Sequence, residues 1–144
     1  MAQLKIGALA RKTGTNAPTI RYYEEIGLLP RAYRRSGGQR TYGEGDVTRL
    51  TFIRRCRDFG MPIERVRSLL SLAEDQKRSC FEARDMARDH LAVVRSRLRE
   101  LKALERDLVR FVVDCESLCE GGAGSDCIVL QSLGKPRGER RASP

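Results

Sequence analysis

Apolar positions along this chain fall into two regimes. Up to about residue 71 they recur in short stretches punctuated by glycine and proline; from Ala87 onward they settle into one long seam. The short stretches predict helices over residues 6–12, 17 to about 26, 44 to about 59, and one more ending near 71, because apolar residues return every three or four positions. Asn16 or Thr15 is suited to cap the second helix, and Pro18 falls in its first turn, where its missing N–H costs little. Helix, glycine turn and helix over about 20 residues predict a helix-turn-helix. Residues 31–43, with Gly37-Gly38 at their tip, read as a small hairpin or wing carrying Arg34, Arg35, Arg40 and Tyr42.

In the second regime, Ala87, Leu91, Val94, Leu98 and Leu101 follow alternating steps of four and three. Leu104, Leu108, Phe111 and Cys115 resume that rhythm after one short step. This pattern predicts a coiled-coil seam with a single phase slip. Cys115 continues the seam and is expected to face a partner. The chain then divides into a winged helix-turn-helix domain (1–72), a connector (73–79), a dimerisation helix (80–114), a cysteine-rich loop with a short terminal helix (115–133), and a disordered basic tail (134–144).

Charge sharpens this division. Residues 1–72 hold 14 Lys/Arg against 6 Asp/Glu, so nearly all of the net charge of +9 lies there. A basic first half beside a near-neutral second half points to a polyanion as partner. No apolar run reaches the roughly 20 residues that span a bilayer, and the first residues lack a signal-peptide core. No membrane association and a cytosolic location are expected, with thiols kept reduced.

Five cysteines, an odd number at unequal spacing, suit a disulfide framework poorly, which leaves thiol chemistry or metal binding. Cys56, alone in a helix, reads as a small buried apolar residue. Cys80 precedes the long helix, while Cys115, Cys119 and Cys127 gather at its far end. About 1.5 Å per residue separates the two groups by roughly 50 Å, so they cannot meet within one chain. Two chains paired antiparallel bring Cys80 of one beside the loop of the other. No enzyme is expected: there is no Ser/His/Asp set, no phosphate-cradling glycine loop and a single histidine, His90.

Ile6-Gly7-Ala8-Leu9-Ala10, Thr19-Ile20-Arg21-Tyr22-Tyr23-Glu24, Gly27-Leu28-Leu29 and Arg40-Thr41-Tyr42 resemble the MerR family of bacterial transcription regulators. The likeness continues through Asp46-Val47, Leu50, Phe52-Ile53 and Phe59-Gly60-Met61 to about residue 133. It implies an all-α fold with a small β wing, a winged helix-turn-helix followed by an antiparallel coiled-coil homodimer. It further implies activation by distorting promoter DNA at which RNA polymerase is also bound. Thr19, Arg21 and Tyr22 match the recognition helix, and Arg40 and Tyr42 match wing contacts to phosphate.

In the family's metal-responsive members, a cysteine before the dimer helix pairs with cysteines beyond the partner's helix. The 35 residues from Cys80 to Cys115 resemble the divalent-ion sensors, and copper(I) types usually carry a non-ligand where Cys80 stands. That implies a soft divalent ion (Zn, Cd, Pb or Hg). Cys119 and Cys127, with seven residues between, instead resemble the copper-sensor loop. Either Cys115 or Cys119 fills the first loop-ligand position, or both share one ion if the helix persists. Four thiolates (Cys80, Cys115, Cys119, Cys127), or three made of Cys80, Cys127 and one of the other two, are equally compatible with the spacing. The competing readings are a redox- or electrophile-sensing regulator, including an iron–sulfur type, and a copper(I) sensor. His90 is weighed as an extra ligand and set below a surface role.

Overall fold

The computed structural model describes residues 3–34 and 38–136. Two compact units divide the chain, Met1–His90 and Leu91–Pro144. The first begins with α1 (Ile6–Thr13) and α2 (Ala17–Glu25), followed by β1 (Tyr33–Arg34) and β2 (Arg40–Thr41). It continues with α3 (Glu44–Asp58) and α4 (Ile63–Ala73). The long α5 (Phe81–Leu118) runs across the division, and α6 (Ile128–Leu133) completes the second unit.

The helix-turn-helix forms for local reasons. Gly14 ends α1 at φ 67°, a left-handed conformation that an L side chain resists. Asn16 then caps α2, its Oδ1 accepting the Thr19 N–H at 2.9 Å. Glycine freedom and amide cap together turn the chain within three residues. The entry to α3 is fixed similarly, with Gly43 N–H donating to Asp46 Oδ2 at 2.9 Å.

Around this turn the apolar faces close a core. Leu9, Ile20, Leu28, Leu29, Tyr42, Leu50, Ile53 and Val66 are almost fully buried. Cys56 belongs to the same core, where burial pushes its thiol pKa up, in keeping with the inert role expected of it. The wing strands pair antiparallel, Tyr33 opposite Thr41 and Arg34 opposite Arg40. Leu4 extends the pairing through two backbone hydrogen bonds with Tyr42, at 2.7 and 2.8 Å. Arg35 and the wing tip at Gly37 lie outside the described residues, as does the expected tail from 137 onward.

In the second unit α5 continues through Cys115 to Leu118, past the expected end near residue 114. Gly121 turns the chain at φ 80°, and a short 3₁₀ turn over Gly124–Asp126 leads into α6. Val129 is buried, in a crevice whose walls include Phe111, Leu118 and Leu133. No residue of α5 is buried. Its seam, from Leu91 through Leu108, stands 43–61% exposed, although apolar side chains in this rhythm are built for contact.

Candidate functional site

The basic face of the first unit gathers around α2 and the wing. Arg21 and Tyr22 are exposed on α2, and Thr19 is half-buried with its N–H held by the cap. Lys5, Arg11, Arg21 and Arg40 line one open groove between the start of α1 and the wing. The sequence reading singled out Arg21 and Arg40 but neither Lys5 nor Arg11. Their place on one face depends on how α1 packs against the wing, and spacing alone does not encode that.

One expectation fails here. Tyr42, matched to a phosphate contact, is only 1% exposed, and its hydroxyl donates to Glu24 Oε1 at 2.5 Å. A ring packed in the core with its proton committed to a carboxylate offers nothing to DNA. Burial, then the Glu24 hydrogen bond and charge, push its pKa up to about 12. Glu24 is itself buried and also faces Arg40, with 3.6 Å between Oε2 and the guanidinium. Tyr42 and Glu24 therefore tie the wing to α2 and set Arg40 in place. Glu24 is a functional residue the sequence reading did not isolate. Its signal was present, since it lies four residues after Ile20, on the face of α2 that Ile20 buries.

The cysteines occupy both ends of α5. Cys80 is exposed immediately before the helix, where Ser79 Oγ accepts the Phe81 N–H at 3.1 Å. At the other end Cys115 lies inside the last turns, and Cys119 N–H donates to the Cys115 carbonyl at 3.0 Å. The helical register thus persists between them, and the two thiols stand one turn apart on the same side. Cys127 caps α6 from the loop, which Gln131 braces by donating to the Ser125 carbonyl at 3.1 Å.

Burial pushes the Cys115 pKa up, with the negative charge of Cys127, Cys119, Asp114 and Glu116 adding to it. Even so, among the described residues no three His, Cys, Asp or Glu of the single chain are arranged to hold a metal ion. The donor set fits a soft cation in kind, with free thiols and only modest carboxylate company, but it is not a closed cage within one chain. His90, weighed as a ligand, is otherwise occupied: its Nε2 lies 2.7 Å from the Phe59 carbonyl oxygen, at the end of α3.

A winged helix-turn-helix followed by a long, apolar-seamed helix defines a DNA-binding regulator. The chain belongs to the MerR family: residues 4–73 match the family described as MerR HTH family regulatory protein, and residues 47–111 match that described as MerR, DNA binding. It is 35% identical over 135 residues to the HTH-type transcriptional regulator HmrR of Sinorhizobium medicae, covering 94% of this chain and 89% of that protein. With the heavy metal-dependent transcription regulator 2 of Rhizobium meliloti it shares 32% identity, covering 90% of this chain and 86% of the relative. Among solved structures, PbrR691 from Ralstonia metallidurans in complex with lead(II) matches at 37% identity and a TM-score of 0.76, covering 90% of this chain and 98% of that one. The protein is thus a transcription regulator and not an enzyme. Among the described residues, no helix is long and apolar enough to cross a membrane.

Proposed function

We propose that this regulator is a homodimer that senses a soft divalent ion of the Zn, Cd, Pb or Hg class and activates a metal efflux or detoxification promoter by distorting its operator. The observation that carries this reading is the distribution of thiols about α5. Three lie at or just beyond its C-terminal end, a fourth stands at its N-terminal end, and a bare apolar seam lies between. Antiparallel pairing covers the seam and brings Cys80 of one chain to Cys115, Cys119 and Cys127 of the other. The lead(II) complex of PbrR691, a relative in sequence and fold, supports the choice of a soft divalent ion.

A bound soft ion supplies a cross-link between thiolates of two chains. Cys115 and Cys119 present donors from consecutive turns, Cys127 presents one from the loop, and Cys80 closes the set. On the DNA side Thr19, Arg21 and Tyr22 enter the major groove, while Arg34, Arg35 and Arg40 hold phosphates beside it. RNA polymerase occupies the same promoter.

The test is transcription in vitro across Zn(II), Cd(II), Pb(II), Hg(II) and Cu(I), repeated with each cysteine changed to serine. At least one divalent ion raises the transcript, and Cys80→Ser abolishes induction with operator binding intact. Induction by copper(I) alone, or unchanged induction in Cys80→Ser, contradicts the reading. So does an anaerobically purified protein that carries iron and sulfide.

A further inference from the structure

Two arginines hold the exit of α2 from outside that helix. Arg49, on α3, donates Nε–H to the Leu28 carbonyl at 2.8 Å, and Arg67, on α4, donates to the Ile26 carbonyl at 2.8 Å. Ile26 is the C-cap of α2, whose carbonyl lacks an intrahelical donor, and Leu28 lies in the turn just beyond, so the two contacts together hold the way the chain leaves α2. Arg49 does a second thing with the same guanidinium: its other arm meets the carboxylate of Glu74. Glu74 ends α4 and opens the stretch that leads to Cys80.

The stretch is anchored again further on. His90 meets the Phe59 carbonyl, so residues 74 and 90 are both fastened to the DNA-binding unit. Between them the polar contacts include local ones, such as Arg78 with Glu82 at 2.9 Å and Lys77 N–H with Asp75 at 2.8 Å. Cys80 is carried on this span.

We propose that Arg49 is a positioning residue that fastens the Cys80-bearing connector to the exit of the recognition helix, so that a displacement of the connector is delivered to α2. The identity of what displaces the connector rests on the metal-sensing reading above. The tether itself rests on the Arg49 contacts. Arginine is required at this position because one rigid, planar fork serves a carbonyl and a carboxylate together, whereas a lysine ammonium presents a single point.

Glu74→Gln isolates the tether, since Glu74 is 62% exposed and its loss leaves Arg49 on Leu28. In the metal-free dimer, amide exchange at Ile26, Gly27, Leu28 and Leu29 accelerates about threefold, the scale of a modest ion pair lost. In metal-dependent transcription the same variant loses about fivefold of the activation, the low end of ordinary allosteric coupling, while its metal-free operator affinity stays within about twofold of wild type. A part that was merely structural would lower affinity and activation together. Unchanged amide exchange overturns the tether, as does full activation by Glu74→Gln at a metal concentration that activates wild type. Wild-type protein that answers to no ion refutes the sensing reading alone, and the exchange measurement then decides the tether.

Discussion

Tyr42 donates its phenolic proton to Glu24 across 2.5 Å, joining the wing to α2 inside the core. The folded pKa of about 12 lies above the ordinary value of 10.0, so the protonated hydroxyl stabilises the fold. That contribution is complete below pH 10 and is lost as pH rises through 12. Tyr42→Phe strands the Glu24 carboxylate with Arg40 as its remaining named partner, at a cost of about 1–3 kcal/mol. Urea unfolding at neutral pH measures that cost. Repeated between pH 10 and 12, the gap between wild type and variant narrows; a gap that stays constant removes the hydroxyl from the linkage.

The sequence made the helix-turn-helix and the seam legible because their causes are local. Gly14, Asn16 and Pro18 mark the turn within five residues, and the seam is a period. The burial of Tyr42 was not legible, since a strand two residues long carries too little alternation to tell its inner face from its outer one. Arg49, Arg67 and His90 act on carbonyls 21, 41 and 31 positions away, and no local spacing records such pairings. The end of α5 was read too early for a simpler reason. Glu116, Ser117 and Leu118 are acceptable in a helix, and glycine enters only at Gly121. That extension brings Cys115 and Cys119 onto one helical face, where the sequence left open whether they compete for one place or share an ion.

His90 meets the Phe59 carbonyl at the end of α3, a contact that gives it a structural role there. His90→Ala forfeits the contact to the Phe59 carbonyl and lowers stability by about 1 kcal/mol, read by denaturation. Metal stoichiometry measured on the same variant by direct metal analysis stays unchanged. A loss of bound metal places the imidazole at the site instead.

Arg21 stands exposed on α2 at the edge of the groove that Lys5, Arg11 and Arg40 also line. Arg21→Ala weakens operator binding by about 1–3 kcal/mol without altering metal affinity of the free dimer. Lys5→Ala or Arg11→Ala weakens binding to all sequences alike and reduces the salt slope by about 1 if each neutralises a phosphate. Binding titrations over a range of salt separate the two effects. A variant of Arg21 that loses metal affinity alone shows that α2 is not the reading helix.

Whether the thiols of two chains build one site is decided by mixed dimers. One chain carries Cys80→Ser; the other keeps Cys80 but has Cys115, Cys119 and Cys127 all changed to serine. Neither parent has a complete donor set in its own homodimer. In the mixed dimer one end joins Cys80 of the second chain to the loop of the first. Titration with Cd(II), followed by thiolate-to-metal absorption, should find about one ion per mixed dimer held more tightly than any in either parent. Mixed dimers that bind no better than their parents would contradict an intersubunit thiolate site.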